Sequence, residues 1–210
     1  MKSLSWIVGA LVALAATSAA ADELKLPKKL EGKAVVLAPA DADYARAQVD
    51  GAVKPAGQGG ISQALVVRLT ADVPVYRMWN GPDKKDARGF TNRIGQWWGY
   101  DAPKGKVEQY RVDFEICNGW NDLTWVATCT LKAGSVVAIG PGQSVSAETC
   151  GDPTGKESYP ANNRDWQVWV AQAWARGAEL VCPPEDQDYP ADPKNIKKRL
   201  TAKKAEKAGK

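Results

Sequence analysis

Short runs of apolar residues, each closed by glycine, proline or asparagine, recur between Ile61 and Val170. Ile61–Leu69 is dominated by isoleucine, leucine and valine, and Val73–Trp79 follows after Ala71-Asp72. Leu123–Leu131 places Leu123, Trp125, Ala127 and Cys129 on one face, and Trp166–Val170 sets Trp166, Val168 and Val170 against Gln167 and Trp169. Period-two runs of this length predict strands. A short strand over Val136–Ile139 ends at Gly140-Pro141-Gly142, and a strand or bulge carries Trp97 and Trp98. Asn80-Gly81-Pro82-Asp83 and Asn118-Gly119 supply turns. Two segments read as short helices: Ala38–Val49, and Gly105–Phe114, where Val107, Tyr110 and Phe114 fall near helical spacing. The prediction is an α+β fold of mostly antiparallel strands with one or two short helices. It forms one disulfide-closed domain over residues 61–184, preceded by an irregular arm over 22–60 and followed by a basic tail over 185–210.

The N-terminus changes the picture. Lys2, the apolar stretch Leu4–Ala16 and the small residues Ala19-Ala20-Ala21 form the pattern of a secretory signal peptide over residues 1–21, with the mature chain starting at Asp22. Secretion to the periplasm or the medium is the expectation, and no apolar run is long enough for a transmembrane segment. In an exported chain four cysteines read as two disulfides. Cys117 and Cys129 flank an expected hairpin, so the favoured pairing is Cys117–Cys129 with Cys150–Cys182. Zinc is disfavoured, since the chain has no CxxC and no histidine.

The lack of histidine excludes Ser-His-Asp and Cys-His hydrolases and His-ligated metals. Chemistry is left to carboxylates, Gln, Arg, Tyr or the leaving group itself. The formal net charge of +4 is too mild for a nucleic-acid partner. Basic residues crowd the segment from Lys194 to Lys210, where Glu206 is the sole acid. A solvated extension is the plain reading, and contact with an anionic surface is the functional one.

The most informative constellation lies mid-chain. Tyr76-Arg77 places a cation on an apolar strand, and Gly95-Gln96-Trp97-Trp98 adds aromatic faces. A fixed cation suits a phosphate and flat rings suit a planar ligand. Further along come Gly134-Ser135-Val136-Val137-Ala138-Ile139-Gly140 and Trp166-Gln167-Val168-Trp169. The order of these pieces, over about residues 73–170, resembles NAD-cleaving domains of the ADP-ribosyltransferase superfamily, of the NAD-glycohydrolase, tuberculosis necrotizing toxin type. The resemblance implies NAD as substrate rather than cofactor, with Arg77 on the pyrophosphate and Trp97 or Trp98 at the nicotinamide or its ribose. It implies Gln167 orienting the ribose or the attacking water, and Tyr76 beside the ligand. It also implies a toxin or effector enzyme.

The chain departs from that pattern in two ways. Ala161–Asp165 replaces a glycine-rich approach to the glutamine, and there is no Glu-x-Glu or Gln-x-Glu pair, which favours hydrolysis over protein modification. Glu148, with Ser144-Val145-Ser146, is the alternative catalytic set. Plainer readings stand beside these: Arg77 paired with Asp113 or Glu115, the tryptophans as packing, Gln167 as a strand cap. A second function class is a tryptophan-rich binding module for glycan, peptidoglycan or a protein. The two classes differ in one requirement: the enzyme needs Arg77, Gln167 and a tryptophan to converge on one pocket.

Overall fold

The computed structural model describes residues 24–191, so the segment expected to be a signal peptide and the lysine-rich end of the tail lie outside the described residues. Among the described residues nine strands form one sheet: β1 (Ala34–Val36), β2 (Leu65–Leu69), β3 (Val73–Trp79), β4 (Trp97–Gly99), β5 (Trp125–Leu131), β6 (Val136–Pro141), β7 (Trp166–Trp169), β8 (Leu180–Val181) and β9 (Tyr189–Pro190). The order across the sheet is β1-β2-β6-β7-β4-β3-β5-β8, with β9 pairing β5 off that path, and these strand pairs are antiparallel. Three short α-helices accompany it: α1 (Val49–Ala52), α2 (Val107–Asp113) and α3 (Ala147–Cys150). This is the expected antiparallel α+β domain. None of the described helices is long and apolar enough to cross a membrane.

Alternation explains how the sheet buries two faces. On β2, Val67 and Leu69 enter one apolar cluster and Val66 another. On β6, Val137 and Ile139 share the first cluster while Val136 and Ala138 share the second, so every residue of β6 is buried. A strand covered on both sides reads as an unbroken apolar run, as Val136–Ile139 does.

The second cover comes from residues expected to form an irregular arm. Leu37, Ala47 and Ala52 pack on Val66, Val136, Ala138 and Trp169. β1 extends the sheet beside β2, and a 3-10 turn over Tyr44–Ala47 and α1 stand where one helix over 38–49 was predicted. The arm is therefore part of the domain. Its apolar residues are spaced for isolated anchor points and not for any regular period, which hid their burial.

The same correction applies after residue 184. β9 pairs with β5 through Val126↔Tyr189, and Ala191 is buried. Asp188, almost wholly buried, receives Arg93 Nε at 2.7 Å and Arg93 Nη2 at 2.9 Å, while Nη2 also donates to Pro183 O at 2.7 Å. A bidentate, enclosed pair of this kind fixes a segment that hydropathy alone would leave outside the fold.

The disulfides are Cys117–Cys150 and Cys129–Cys182, in place of the expected pairing. On β5 and β8, Thr130 faces Val181 and Leu131 faces Leu180. Continuing that register by one residue sets Cys129 opposite Cys182, with Cα atoms 4.3 Å apart. Cys117 instead follows α2 and ties that loop to α3.

Candidate active site

The cavity forms where β3, β4 and β7 lie side by side. Tyr76 on β3 faces Gly99 on β4, Gly99 faces Gln167 on β7, and Gln167 faces Gly140 on β6. Glycines thus flank Gln167 on both sides in the sheet. The Phe114 ring closes over Gly99, where a Cβ would stand 3.3 Å from it. The resulting cavity has a volume of about 150 Å³, enough to hold one benzene-sized ring.

Arg77, Trp97, Trp98 and Gln167 all line it. These are the residues the sequence singled out from three separate strands. Tyr76 does not line it. The Tyr76 side chain is half-buried, pairs across the sheet with Gly99 and Thr128, and has its hydroxyl pKa raised by burial.

Each of the four is held from behind. Trp98 is buried and donates from Nε1 to Gly95 O at 2.6 Å. Trp97 packs its ring on Trp169, centroids 4.6 Å apart. Arg77 Nε donates to Asn92 O at 3.2 Å and its Nη1 to Trp97 O at 2.9 Å. Among the described residues no carboxylate forms an ion pair with Arg77, so the plain reading of a pair with Asp113 or Glu115 is not what this structure contains. Burial lowers the Arg77 pKa from its usual value, with Tyr110 opposing. Two of five guanidinium donors are spent on carbonyls, and among the described residues the others form no ion pair.

Gly95 makes that placement possible. A Cβ there would lie 2.6 Å from Arg77 Cζ and Nη2. We expect Gly95→Ala to push the guanidinium off Asn92 O and Trp97 O, at a cost of about 1–3 kcal/mol for the overpacking. Denaturant melts read the cost. A variant as stable as the parent would show that the loop yields instead.

Glu115 is the residue that sequence reasoning did not place in the site. It is 1 % exposed and lines the cavity. It also has φ +48°, the left-handed region. The reason is local. Ile116 N donates to Arg111 O at 2.9 Å and Glu115 N to Val112 O at 3.4 Å, the paired bonds of a Schellman end to α2. Glu115 occupies the position that ordinarily takes glycine. Arg111 locks the exit, donating to Ile116 O, Cys117 O and Asn121 O at 3.0 Å each.

Gln167 Nε2 donates to Glu115 Oε2 at 2.8 Å and to Gly60 O at 3.2 Å. Glu115 Oε1 is buried with no partner among the described residues. Burial raises the Glu115 pKa to about 9; the Gln167 bond pulls it down, and Asn162 N–H, whose own bond goes to Gly142 O, pulls more weakly. Asp113 and Asp165 push it up. At neutral pH the carboxyl is protonated, a donor in a site that otherwise displays a cation. Burial likewise pushes the Tyr110 hydroxyl up to about 12, against the pull of Arg77.

The alternative catalytic set lies elsewhere. Ser146 caps α3 by accepting from Thr149 N, Ser144 Oγ accepts from Gly57 N, and Glu148 is exposed. None of the three lines the cavity. The nearest approach to a metal cluster among the described residues is Cys117, Cys150 and Glu157, and its two sulfurs are bonded to each other.

No family model, no curated protein and no solved structure matches this chain.

Proposed function

We propose that the cavity binds the ring of a nucleotide-type ligand and that its reaction is hydrolysis of the nicotinamide–ribose bond of NAD. One observation carries this reading: Arg77, Gln167, Trp97 and Trp98, drawn from three strands, converge on one ring-sized cavity, and among the described residues no carboxylate is paired with Arg77. A volume of about 150 Å³ admits the nicotinamide ring and leaves the rest of the dinucleotide along the cavity mouth. The tryptophans supply apolar faces for the ring, and Arg77 offers its remaining donors to phosphate.

The chemistry asks little of a proton donor. Nicotinamide departs from C1′ as a neutral molecule, taking the bonding pair. Water adds to C1′ and gives its proton to solvent, leaving ADP-ribose. The protein must hold the two reactants in line and shield the cationic sugar as it forms. Gln167 has its Nε2 committed to Glu115 and Gly60, so its side-chain carbonyl is the group left to orient the water.

Two disulfides suit an oxidising compartment. An exported enzyme of this kind would act as a toxin or effector on a cell that contains NAD. Incubating the oxidised protein with NAD is expected to release nicotinamide. Arg77→Ala and Gln167→Ala should each lower turnover by roughly 10²-fold, as for loss of one preorganised polar group. Release that is absent from the unmutated protein would end the hydrolase reading. The second reading, a binding module without catalysis, draws on Trp120, which is 46 % exposed and lines the same cavity; sugar binding without turnover would establish it.

A further inference from the structure

Glu115 combines three features that a merely structural residue has no reason to combine. It is a carboxyl 1 % exposed, it sits in a backbone conformation that favours glycine, and its Oε1 has no hydrogen-bond partner among the described residues. Each is unfavourable for folding, since left-handed backbone strains a residue with a Cβ and a buried oxygen without a hydrogen bond has lost its water. The remaining surroundings are fitted to the group. A Cβ on Gly142 would fall directly on the carboxyl, so only glycine lets the chain pass there. Gln167 Nε2 donates to Oε2, which makes Oε2 the acceptor and leaves the carboxyl proton to Oε1.

We propose that Glu115 reads the bound ring, its Oε1–H donating a hydrogen bond to an acceptor on the ligand, for which a carboxamide oxygen is the fitting chemical class. The inference rests on the ring-binding reading of the cavity and adds the feature by which it selects among rings. Glu115 is then a binding residue, and ionisation removes its donor. The groups facing it are Asp113 and Tyr110 on α2, Asp165 ahead of β7, Gln167 on β7 and Arg77 on β3 across the cavity. Burial is what chiefly holds the carboxyl neutral through pH 7, and the charges of Asp113 and Asp165 add to it.

Calorimetric titration with nicotinamide and with benzamide tests this on the intact, oxidised protein. The parent and Glu115→Gln should bind both probes, since the glutamine amide places its carbonyl toward Gln167 Nε2 and its N–H₂ toward the ring. Glu115→Met, which removes the donor at similar volume, should bind roughly 10-fold more weakly, the worth of one hydrogen bond. Raising the pH from 7 to 10 should weaken the parent by roughly 10-fold as the donor ionises, and leave Glu115→Gln unchanged. The proposal is overturned if the glutamine variant binds as poorly as the methionine one, if the parent is insensitive to pH, or if neither probe binds. Benzamide bound by a protein that releases no nicotinamide from NAD would end the hydrolase reading and leave this one standing.

Discussion

Glu115→Gln is expected to make the protein more stable, by on the order of 5 kcal/mol at pH 9 and by almost nothing at pH 3. The sign follows from the raised pKa. Below pH 4.5 the carboxyl is neutral in both folded and unfolded chains, so it carries no ionisation penalty. Between 4.5 and about 9 the unfolded chain releases the proton and the folded chain does not. Each pH unit in that window lowers native stability by about 1.4 kcal/mol, and above pH 9 the loss levels off. Glutamine has the shape of the neutral acid and nothing to ionise, so the variant escapes the whole slope. Guanidinium melts of both proteins at pH 3, 5, 7 and 9 would trace it. Parallel curves for parent and variant would mean that Glu115 ionises freely in the folded protein. If its amide isostere is this much better for folding, the carboxyl is a cost to the fold, which is the physical case for the ring-binding role proposed for Glu115.

That case was only half legible in the sequence. Arg77, Trp97, Trp98 and Gln167 announced themselves because each is polar or bulky within a strand, where alternation makes exceptions visible. β3 appears over the residues its pattern predicts, and β5, β6 and β7 shift by one or two at their ends. What brings them together is strand order, with β4 wedged between β3 and β7. A three-residue strand that pairs β7 through Gly99↔Gln167 leaves no periodic trace from which to read its neighbours. Glu115 hid for a different reason. In Phe114-Glu115-Ile116 it looks like a solvated charge at a helix end, and the glycine that would have marked the turn is absent. The one available signal was a lone acid between apolar residues just before a cysteine. Tyr76, by contrast, drew attention only as the neighbour of Arg77, and adjacent residues on a strand point to opposite faces.

Replacing Cys129 and Cys182 by alanine is expected to cost about 4 kcal/mol, the chain entropy released when a loop spanning 53 residues is opened. The effect should be global. Cys129 is buried in the cluster that holds Val75, Leu131 and Leu180, and its partner closes the β8 edge. Opening Cys117–Cys150 removes a loop of 33 residues, which weighs nearly as much in chain entropy. Its consequence for the site differs, because Cys117 follows Glu115 and precedes Trp120 and Asn121, all of which line the cavity except the cysteine itself. The two alanine pairs should therefore separate stability from ligand capture. Cys129→Ala/Cys182→Ala should lower the denaturation midpoint and leave benzamide affinity intact under native conditions. Cys117→Ala/Cys150→Ala should weaken that affinity as the wall carrying Glu115 loosens. Sequence proximity suggested joining Cys117 to Cys129, but that cross-link would pull the α2 exit onto the middle of β5, where Cys129 already faces Cys182 across an antiparallel register. Equal losses of affinity in both pairs would show that the cavity wall depends on the whole sheet and not on its own cross-link.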